Sequence, residues 1–161
     1  MMAKCAIVNS SPLIFLSKAG YLDLLKLAAD EVFVPDAVIL EINRRGADDV
    51  TALALQQASW LQVVEVKPQS LVQAWDLGLG ETAVLSYALH KQGFKAVIDD
   101  GLARKCAQTF EIPLLGTLGL VLIAKKRGVI AEARPVMREL KQHGMYLKEA
   151  TLNQALALVG E

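Results

Sequence analysis

The stretch GFKAVIDDGLARKCA, residues 93–107, is the most informative part of the sequence, because a short apolar run in it ends in two adjacent carboxylates. The run AVI at residues 96–98 is typical of a buried β-strand, and the residues after Asp100 have the spacing of a helix. Adjacent like charges repel unless a cation lies between them or water screens them. The stretch therefore predicts a strand that ends at Asp99 and Asp100 and leads directly into a helix.

Similar short apolar runs recur along the chain. The sequence predicts five strands, at residues 5–9, 31–35, 61–66, 95–99 and 112–116. Segments of helical period separate them, and after residue 130 only helical patterns remain. Apolar strands that alternate with helices are typical of a parallel sheet covered on both faces. We expect an α/β domain over residues 1–130, and residues 131–161 as a helical C-terminal extension of the same domain.

Several residues have the character of helix ends. In the first helix we expect Ser11 as the N-cap, Pro12 at the first helical position and Gly20 as the stop. We expect Asp36 to cap the second helix.

The composition is that of a globular protein, with 53% hydrophobic and 21% charged residues. Lys plus Arg equals Asp plus Glu at 17 each, which argues against a wholly basic surface but leaves room for a local basic patch. Cys5 and Cys106 are too few for a disulfide framework, and no apolar stretch approaches the ~20 residues of a bilayer span. We expect a soluble, cytoplasmic protein without a membrane partner.

Oxygen-bearing side chains lie where the predicted strands end. Asn9 follows the first strand, Glu41 lies on the helix after the second, Glu81 opens the helix after LGLG, and Asp99 and Asp100 end a fourth strand. Ligands of open α/β sheets bind outside the carboxyl ends of the strands, so these positions could converge. Carboxylates without His or Cys favour Mg²⁺ or Mn²⁺, whose chemistry suits phosphodiester cleavage.

Each position also has a structural explanation. Asp100 is a good N-cap for the helix that follows, and Glu81 complements a helix dipole. Glu41 has apolar neighbours, which favours a partly buried carboxylate, although many helices carry such a residue without a function. The doublet of Asp99 and Asp100 is the hardest to explain as capping, because one cap does not need two charges.

Five segments together resemble the prokaryotic PIN-like domains, in particular a subfamily with GEAEAI, DDxxAR and GTLGLLLxAKxxG signatures. They are IVNSSPLIFLSKAGYLDLL, VPDAVILEI, LGLGETAVLSYAL, VIDDGLARKCA and GTLGLVLIAKKRGVI, and they span residues 7–130. The resemblance implies a three-layer α/β/α fold and an acidic pocket that binds Mg²⁺ or Mn²⁺ and hydrolyses RNA. Many of these relatives are the toxin half of toxin–antitoxin pairs, which implies a cognate antitoxin protein as a partner.

Carried over by position, the resemblance assigns the second acid to Glu41, the third to Glu81 and the fourth to Asp99 or Asp100. The first acid of the family falls on Asn9, so the implied metal site lacks one negative charge and the activity is expected to be attenuated.

Substrate contacts are implied at three further positions. Ser10 and Ser11 match the family's small hydroxyl residues, and Arg104 lies one helical turn past the aspartate pair, where it could meet a phosphate. A solvated helix face is the simpler explanation of Arg104.

Two functions stay open: a metal-dependent endoribonuclease of the toxin type, and an inactive PIN-like module that binds RNA or a protein partner. Asn9 favours the inactive module, whereas the retained Glu41 and Glu81 oppose it. A third possibility, a flavodoxin-like nucleotide module, is disfavoured because this sequence lacks a Gly-rich phosphate loop. The helices after Ile130, together with the zero net charge of the whole chain, lead us to expect a homodimer.

Overall fold

The structure, a computed structural model, describes residues 3–161, and its strands form one sheet in the order β3-β2-β1-β4-β5. The strands are β1 (Ala3–Val8), β2 (Ala29–Pro35), β3 (Leu61–Val64), β4 (Phe94–Val97) and β5 (Leu114–Leu115). Every pairing is parallel. Strand β1 lies at the centre, and the chain builds the sheet outward first on its β2 side and later on its β4 side.

Helices connect the strands and continue past the sheet. Within residues 3–161 they are α1 (Ser10–Ala19), α2 (Asp36–Asn43), α3 (Val50–Gln57), α4 (Ser70–Gln73), α5 (Leu79–His90), α6 (Gly101–Thr109), α7 (Thr117–Lys126), α8 (Ala133–Gln142), α9 (Glu149–Ala157) and a 3₁₀ helix (Leu22–Leu27).

The central strands are buried because helices cover the sheet. Ile7 and Val8 in β1, Val97 at the end of β4 and Ile98 directly after it are fully buried. Helix α5 packs against β1, β2 and β4, while α8 packs against α1 and α7. The predicted three-layer α/β/α fold with a central parallel sheet is confirmed.

Most predicted elements are confirmed, with the differences at their ends. Gly20 stops α1 in the left-handed conformation, at φ 81°, where its N–H bonds the carbonyls of Leu16 and Ser17. Ser11 as an N-cap was wrong, since α1 already begins at Ser10 and Asn9 holds the cap position. Sequence periodicity missed α4 and the 3₁₀ helix, because such short elements do not repeat a helical pattern.

Asp36 as a cap was also wrong. Pro35 holds the N-cap position of α2, and Asp36 is its first residue. The Asp36 carboxylate accepts from the Ala37 N–H at 2.9 Å and from the Val66 N–H at 3.3 Å. It therefore ties the chain that leaves β3 to the start of α2.

The C-terminal residues form the two predicted helices, α8 and α9. Helix α8 begins against Glu161, whose carboxylate accepts from the N–H groups of Ala133 at 2.6 Å and Arg134 at 3.0 Å. A division of the chain at residue 130 stays a prediction. None of the helices in residues 3–161 has the length and apolar character needed to cross a bilayer.

Candidate functional site

The strand order reverses between β1 and β4, which lie side by side at the centre of the sheet. Their carboxyl ends are joined where the Asn9 N–H donates to the Val97 carbonyl at 3.0 Å. Such a reversal leaves a crevice between the connections, and in open α/β sheets ligands bind there. The residues that follow these two strands, Asn9 and Asp99, therefore lie at the position where the topology predicts a ligand.

Asn9 has a buried side chain without an internal partner. It is 1% exposed, and neither Oδ1 nor Nδ2 forms a hydrogen bond within the part of the chain that the structure describes. Although Asn9 holds the N-cap position of α1, its side chain does not cap the helix. Because buried polar atoms in proteins are nearly always paired, this amide is a candidate to contact a ligand.

Gly80 brings Asn9 and Glu41 to one place. A Cβ added at Gly80 would lie 2.8 Å from Asn9 Oδ1 and 3.8 Å from Glu41 Oε1, so both oxygens border the same point. The missing side chain lets the first turn of α5 approach Asn9 and α2 closely. Sequence reasoning missed Gly80, although the two glycines of LGLGE were the available signal.

The remaining predicted acids line a cavity of about 390 Å³. Glu81, Asp99 and Asp100 line it together with Ser11. Its other walls are Phe15, Gly144, Met145 and Tyr146. The structure thus brings together three of the four predicted acids and one of the two predicted hydroxyls, whereas Ser10 is buried at 6% exposure.

Asp99 and Asp100 have different local roles. Asp99 accepts two hydrogen bonds from Thr117, from the N–H at 2.8 Å and from the hydroxyl at 2.6 Å. Asp100 caps α6, with Oδ2 accepting from the Ala103 N–H at 2.9 Å. The capping explanation therefore holds for Asp100, while Asp99 is fixed from the start of α7, a contact that the sequence did not reveal.

Glu41 and Glu81 approach the site from different helices. The prediction of a partly buried Glu41 was wrong, since the residue is exposed and lines a separate cavity of about 80 Å³ with Arg44 and Leu79. Glu81 is half-buried in the first turn of α5, with Oε2 only 2.6 Å from the point that a Cβ of Gly78 would occupy. Its carboxylate therefore folds back over the start of its own helix.

The acidic side chains lack counter-ions among the described residues. Within residues 3–161 no basic nitrogen lies within 4.0 Å of the carboxylates of Glu41, Glu81, Asp99 or Asp100. Arg104 flanks Asp99 but donates Nη1 to the Ile98 carbonyl at 2.9 Å instead. Unpaired acids around one cavity favour a bound cation, because they otherwise repel one another.

The donor set fits a hard cation only in part. It consists of carboxylate and amide oxygens, the ligand type that Mg²⁺ and Mn²⁺ prefer. In the region the structure describes, however, no three His, Cys, Asp or Glu side chains lie close enough to hold one ion. Mg²⁺ often takes only one or two protein carboxylates and keeps several waters. These residues therefore fit an ion held largely through water, beside the free Oδ1 of Asn9.

The all-parallel sheet, with acidic side chains at its point of reversal, defines the class of the molecule as an open α/β domain. Residues 5–161 match the model of the family DUF3368, a PIN domain, and the chain belongs to this family. The resemblance seen in the sequence is thereby confirmed.

Known proteins add one structural likeness. The chain is similar to the solved structure of the PIN domain endonuclease Utp24, with a TM-score of 0.54 and 12% sequence identity. The match covers 71% of this chain and 85% of that one, and it concerns the fold alone. No curated protein matches the chain.

Proposed function

We propose that the chain is an endoribonuclease that uses Mg²⁺ or Mn²⁺. The observation that carries the proposal is the cavity at the carboxyl edge of β1 and β4, which Glu81, Asp99 and Asp100 line in a PIN domain. The similar fold of Utp24 belongs to an endonuclease, which supports cleavage within a nucleic acid chain.

Specific residues would hold the ion and orient the substrate. Glu81 and Asp99 would hold it, with Glu41 and Asn9 beside them, and the bound ion would supply positive charge to a phosphate and make a water more acidic. Thr117 keeps the Asp99 carboxylate in one orientation. Asp100 uses Oδ2 as a cap, which leaves Oδ1 free to accept a hydrogen bond from a water in the cavity.

The activity is expected to be attenuated. Asn9 contributes a neutral oxygen where the family has an acid, so the pocket attracts a divalent ion with one charge fewer. Ser11 lines the cavity, Arg104 lines a neighbouring cavity that shares Asp99 with it, and we assign both to substrate contact. Ser10, which is buried next to Asn9, would act only by supporting it.

The biological setting follows from the family resemblance. We propose a toxin-type role in the cytoplasm, with a cognate antitoxin protein and with a homodimer as the assembled form. Light scattering at tens of micromolar tests the dimer, because a monomer at that concentration would contradict it.

A second function has a specific observation in its favour. The neutral Asn9, together with the lack of a closely spaced set of three ligands among residues 3–161, favours an inactive module that binds RNA or a protein partner. Such a module would keep the cleft as a binding surface but would not cleave RNA.

A cleavage assay with a fluorescent single-stranded RNA separates the two functions. Cleavage should require Mn²⁺ or Mg²⁺, stop in chelator, and fall at least tenfold in Glu81→Gln and Asp99→Asn, because each removes a charge at the ion. Glu139→Gln, an exposed acid on α8, is the matched control and should cleave normally. RNA binding without cleavage would favour the inactive module, and cleavage insensitive to both substitutions would contradict the proposed site.

A further inference from the structure

The acidic cavity is one end of a longer cleft. A second cavity, of about 480 Å³, shares three wall residues with it: Asp99, Met145 and Tyr146. This volume lies in the range of about 300–1,000 Å³ that is usual for ligand pockets. A ligand bound at the acids could therefore extend past Asp99 into the second cavity.

The second cavity differs in chemistry from the acidic one. Its walls include Leu114, Leu118 and Leu147, which are all partly buried, and Arg104 lies on the side of Asp99. Only Nη1 of the Arg104 guanidinium has a hydrogen-bond partner within residues 3–161, the Ile98 carbonyl. Apolar walls beside a cation with free N–H groups suit a flat, weakly polar group attached to an anion.

Tyr146 stands at the junction of the two cavities. It lies between α8 and α9, is 81% exposed, and follows the buried Met145, which is 8% exposed. A single exposed aromatic residue is ordinary in itself, but this ring borders both an acidic cavity and an apolar one. Its backbone is anchored by the buried neighbour, while the ring is free to meet a ligand.

We propose that Tyr146 stacks on an unpaired base of single-stranded RNA, next to the phosphate at the acidic cavity, and that the second cavity receives this nucleoside with Arg104 on its phosphate. This inference rests on the proposed ribonuclease function and names the subsite for the neighbouring nucleotide. Base stacking on an aromatic ring tolerates different sequences, because every base has a π face. A duplex keeps its bases stacked and paired, so the subsite selects single strands.

Fluorescence anisotropy with a labelled ten-nucleotide RNA tests the proposal on the full chain. Ca²⁺ replaces Mg²⁺ and Mn²⁺ in this assay, so that a divalent ion neutralises the acids without supporting cleavage. Tyr146→Ala should raise the Kd for this RNA about 5- to 100-fold, the range typical of losing one base–aromatic stack. Tyr146→Phe and Tyr146→Trp should bind like the unsubstituted chain, because both keep a ring. Leu158→Ala is the matched control: Leu158 is 73% exposed on the C-terminal side of α9 and should not change Kd.

RNAs with one abasic nucleotide locate the stacked base. For the unsubstituted chain, one abasic position should weaken binding much more than the others, and in Tyr146→Ala that difference should vanish. Equal Kd values for Tyr146→Ala and the unsubstituted chain, or equal competition by duplex RNA, would overturn the subsite.

The same measurements keep the two proposals distinct. If the unsubstituted chain binds and cleaves RNA while Tyr146→Ala behaves identically, the subsite is wrong and the ribonuclease stands. If the unsubstituted chain neither binds nor cleaves RNA, both are wrong. Since Tyr146 is exposed, its variants should melt at the same temperature as the unsubstituted chain, so a lost stack is not confused with unfolding.

Discussion

Thr117 donates to both oxygens of Asp99, through its N–H to Oδ1 at 2.8 Å and through its hydroxyl to Oδ2 at 2.6 Å. The N–H belongs to the first residue of α7, where backbone donors lack partners in the helix and the dipole favours an anion. Thr117 is itself fully buried, so the side chains packed around it hold it in place. One residue thus sets both the place and the orientation of the carboxylate.

We expect Thr117→Val to weaken metal-dependent activity by about 10- to 100-fold, the usual effect of removing a group that orients a ligand. The substitution keeps the backbone bond and the shape but removes the hydroxyl, so Asp99 can rotate. Stability should fall by about 1 kcal/mol. Mn²⁺ titration calorimetry and the cleavage assay measure the first effect, and thermal melting measures the second.

Thr117→Ser is the matched control, because it keeps the hydroxyl. It should retain most of the activity and the Mn²⁺ affinity. A loss in the serine variant as large as that in the valine variant would contradict the role of the hydroxyl, because serine keeps the bond to Asp99.

Gly80→Ala should lower activity at least tenfold without the stabilisation that such a change usually gives. Alanine in place of a helical glycine gains about 0.5–1 kcal/mol. Here the new Cβ would lie 2.8 Å from Asn9 Oδ1 and 3.3 Å from a methyl group of Val38, so the buried amide must move. Cleavage rates and thermal melting report the two effects.

Gly101→Ala provides the comparison. Gly101 opens α6, and a Cβ there would have no atom of the described residues within 4 Å. This variant should therefore melt at a higher temperature and cleave RNA normally. A Gly80→Ala protein as stabilised and as active as Gly101→Ala would contradict the close approach of α5 to Asn9.

Much of the fold was predictable because it follows from periodicity. Apolar runs alternating with helical segments specify a parallel sheet, and the carboxyl-edge rule then places Asn9 and Asp99 near each other. The Asn9 N–H bond to the Val97 carbonyl agrees with that placement. These features depend on strand order and direction, which a short chain can satisfy in few ways.

The details of the site depend on contacts between residues distant in sequence, which periodicity does not encode. Thr117 lies 18 residues from Asp99, and no local pattern indicates that its hydroxyl meets that carboxylate. The sequence equally did not indicate the roles within the aspartate pair, because Asp100, which caps α6, and Asp99, the ligand candidate, are adjacent residues of the same type. Tyr146 reaches the cleft only through the packing of α8 and α9, whose own pattern predicts helices and nothing more.

Glu161 gives the chain a pH-dependent contact far from the cavity. The hydrogen bond from the Ala133 N–H is the largest cause that lowers the pKa of Glu161. Burial raises this pKa, but the Arg134 N–H and the charge of Lys125 at 3.5 Å add to the lowering, so the net direction is down. A lowered pKa stabilises the fold above the unfolded value of about 4.3, and this contribution disappears as pH falls through the folded value.

Glu161→Gln should therefore melt about 2–4 °C lower than the unsubstituted chain near pH 7, since losing a helix cap costs on the order of 1 kcal/mol. The difference should begin to shrink as pH falls below the unfolded value of about 4.3, and it should vanish once the folded carboxylate is protonated too. Glu149→Gln is the control. That exposed acid forms a surface ion pair with Lys141, so its substitution should have little effect at any pH. A difference in melting temperature that does not vary between pH 7 and 3 would contradict the role of this charge.

Asn9→Asp should restore the charge that the pocket lacks. The new carboxylate would occupy a side chain that is 1% exposed and close to Glu41, so in chelator burial and like-charge repulsion should lower the melting temperature. Added Mn²⁺ should reverse this by mass action and bind at least tenfold more tightly, because a carboxylate beside a divalent ion gains several kcal/mol even at an effective dielectric of ~20. Cleavage should increase accordingly.

Asn9→Leu is the matched variant of similar size: it removes the unpaired amide, so it should melt no lower than the unsubstituted chain in chelator and gain nothing from Mn²⁺. If Mn²⁺ leaves the melting temperatures of both the unsubstituted chain and Asn9→Asp unchanged, the acids do not form a metal site, and the inactive module becomes the better account.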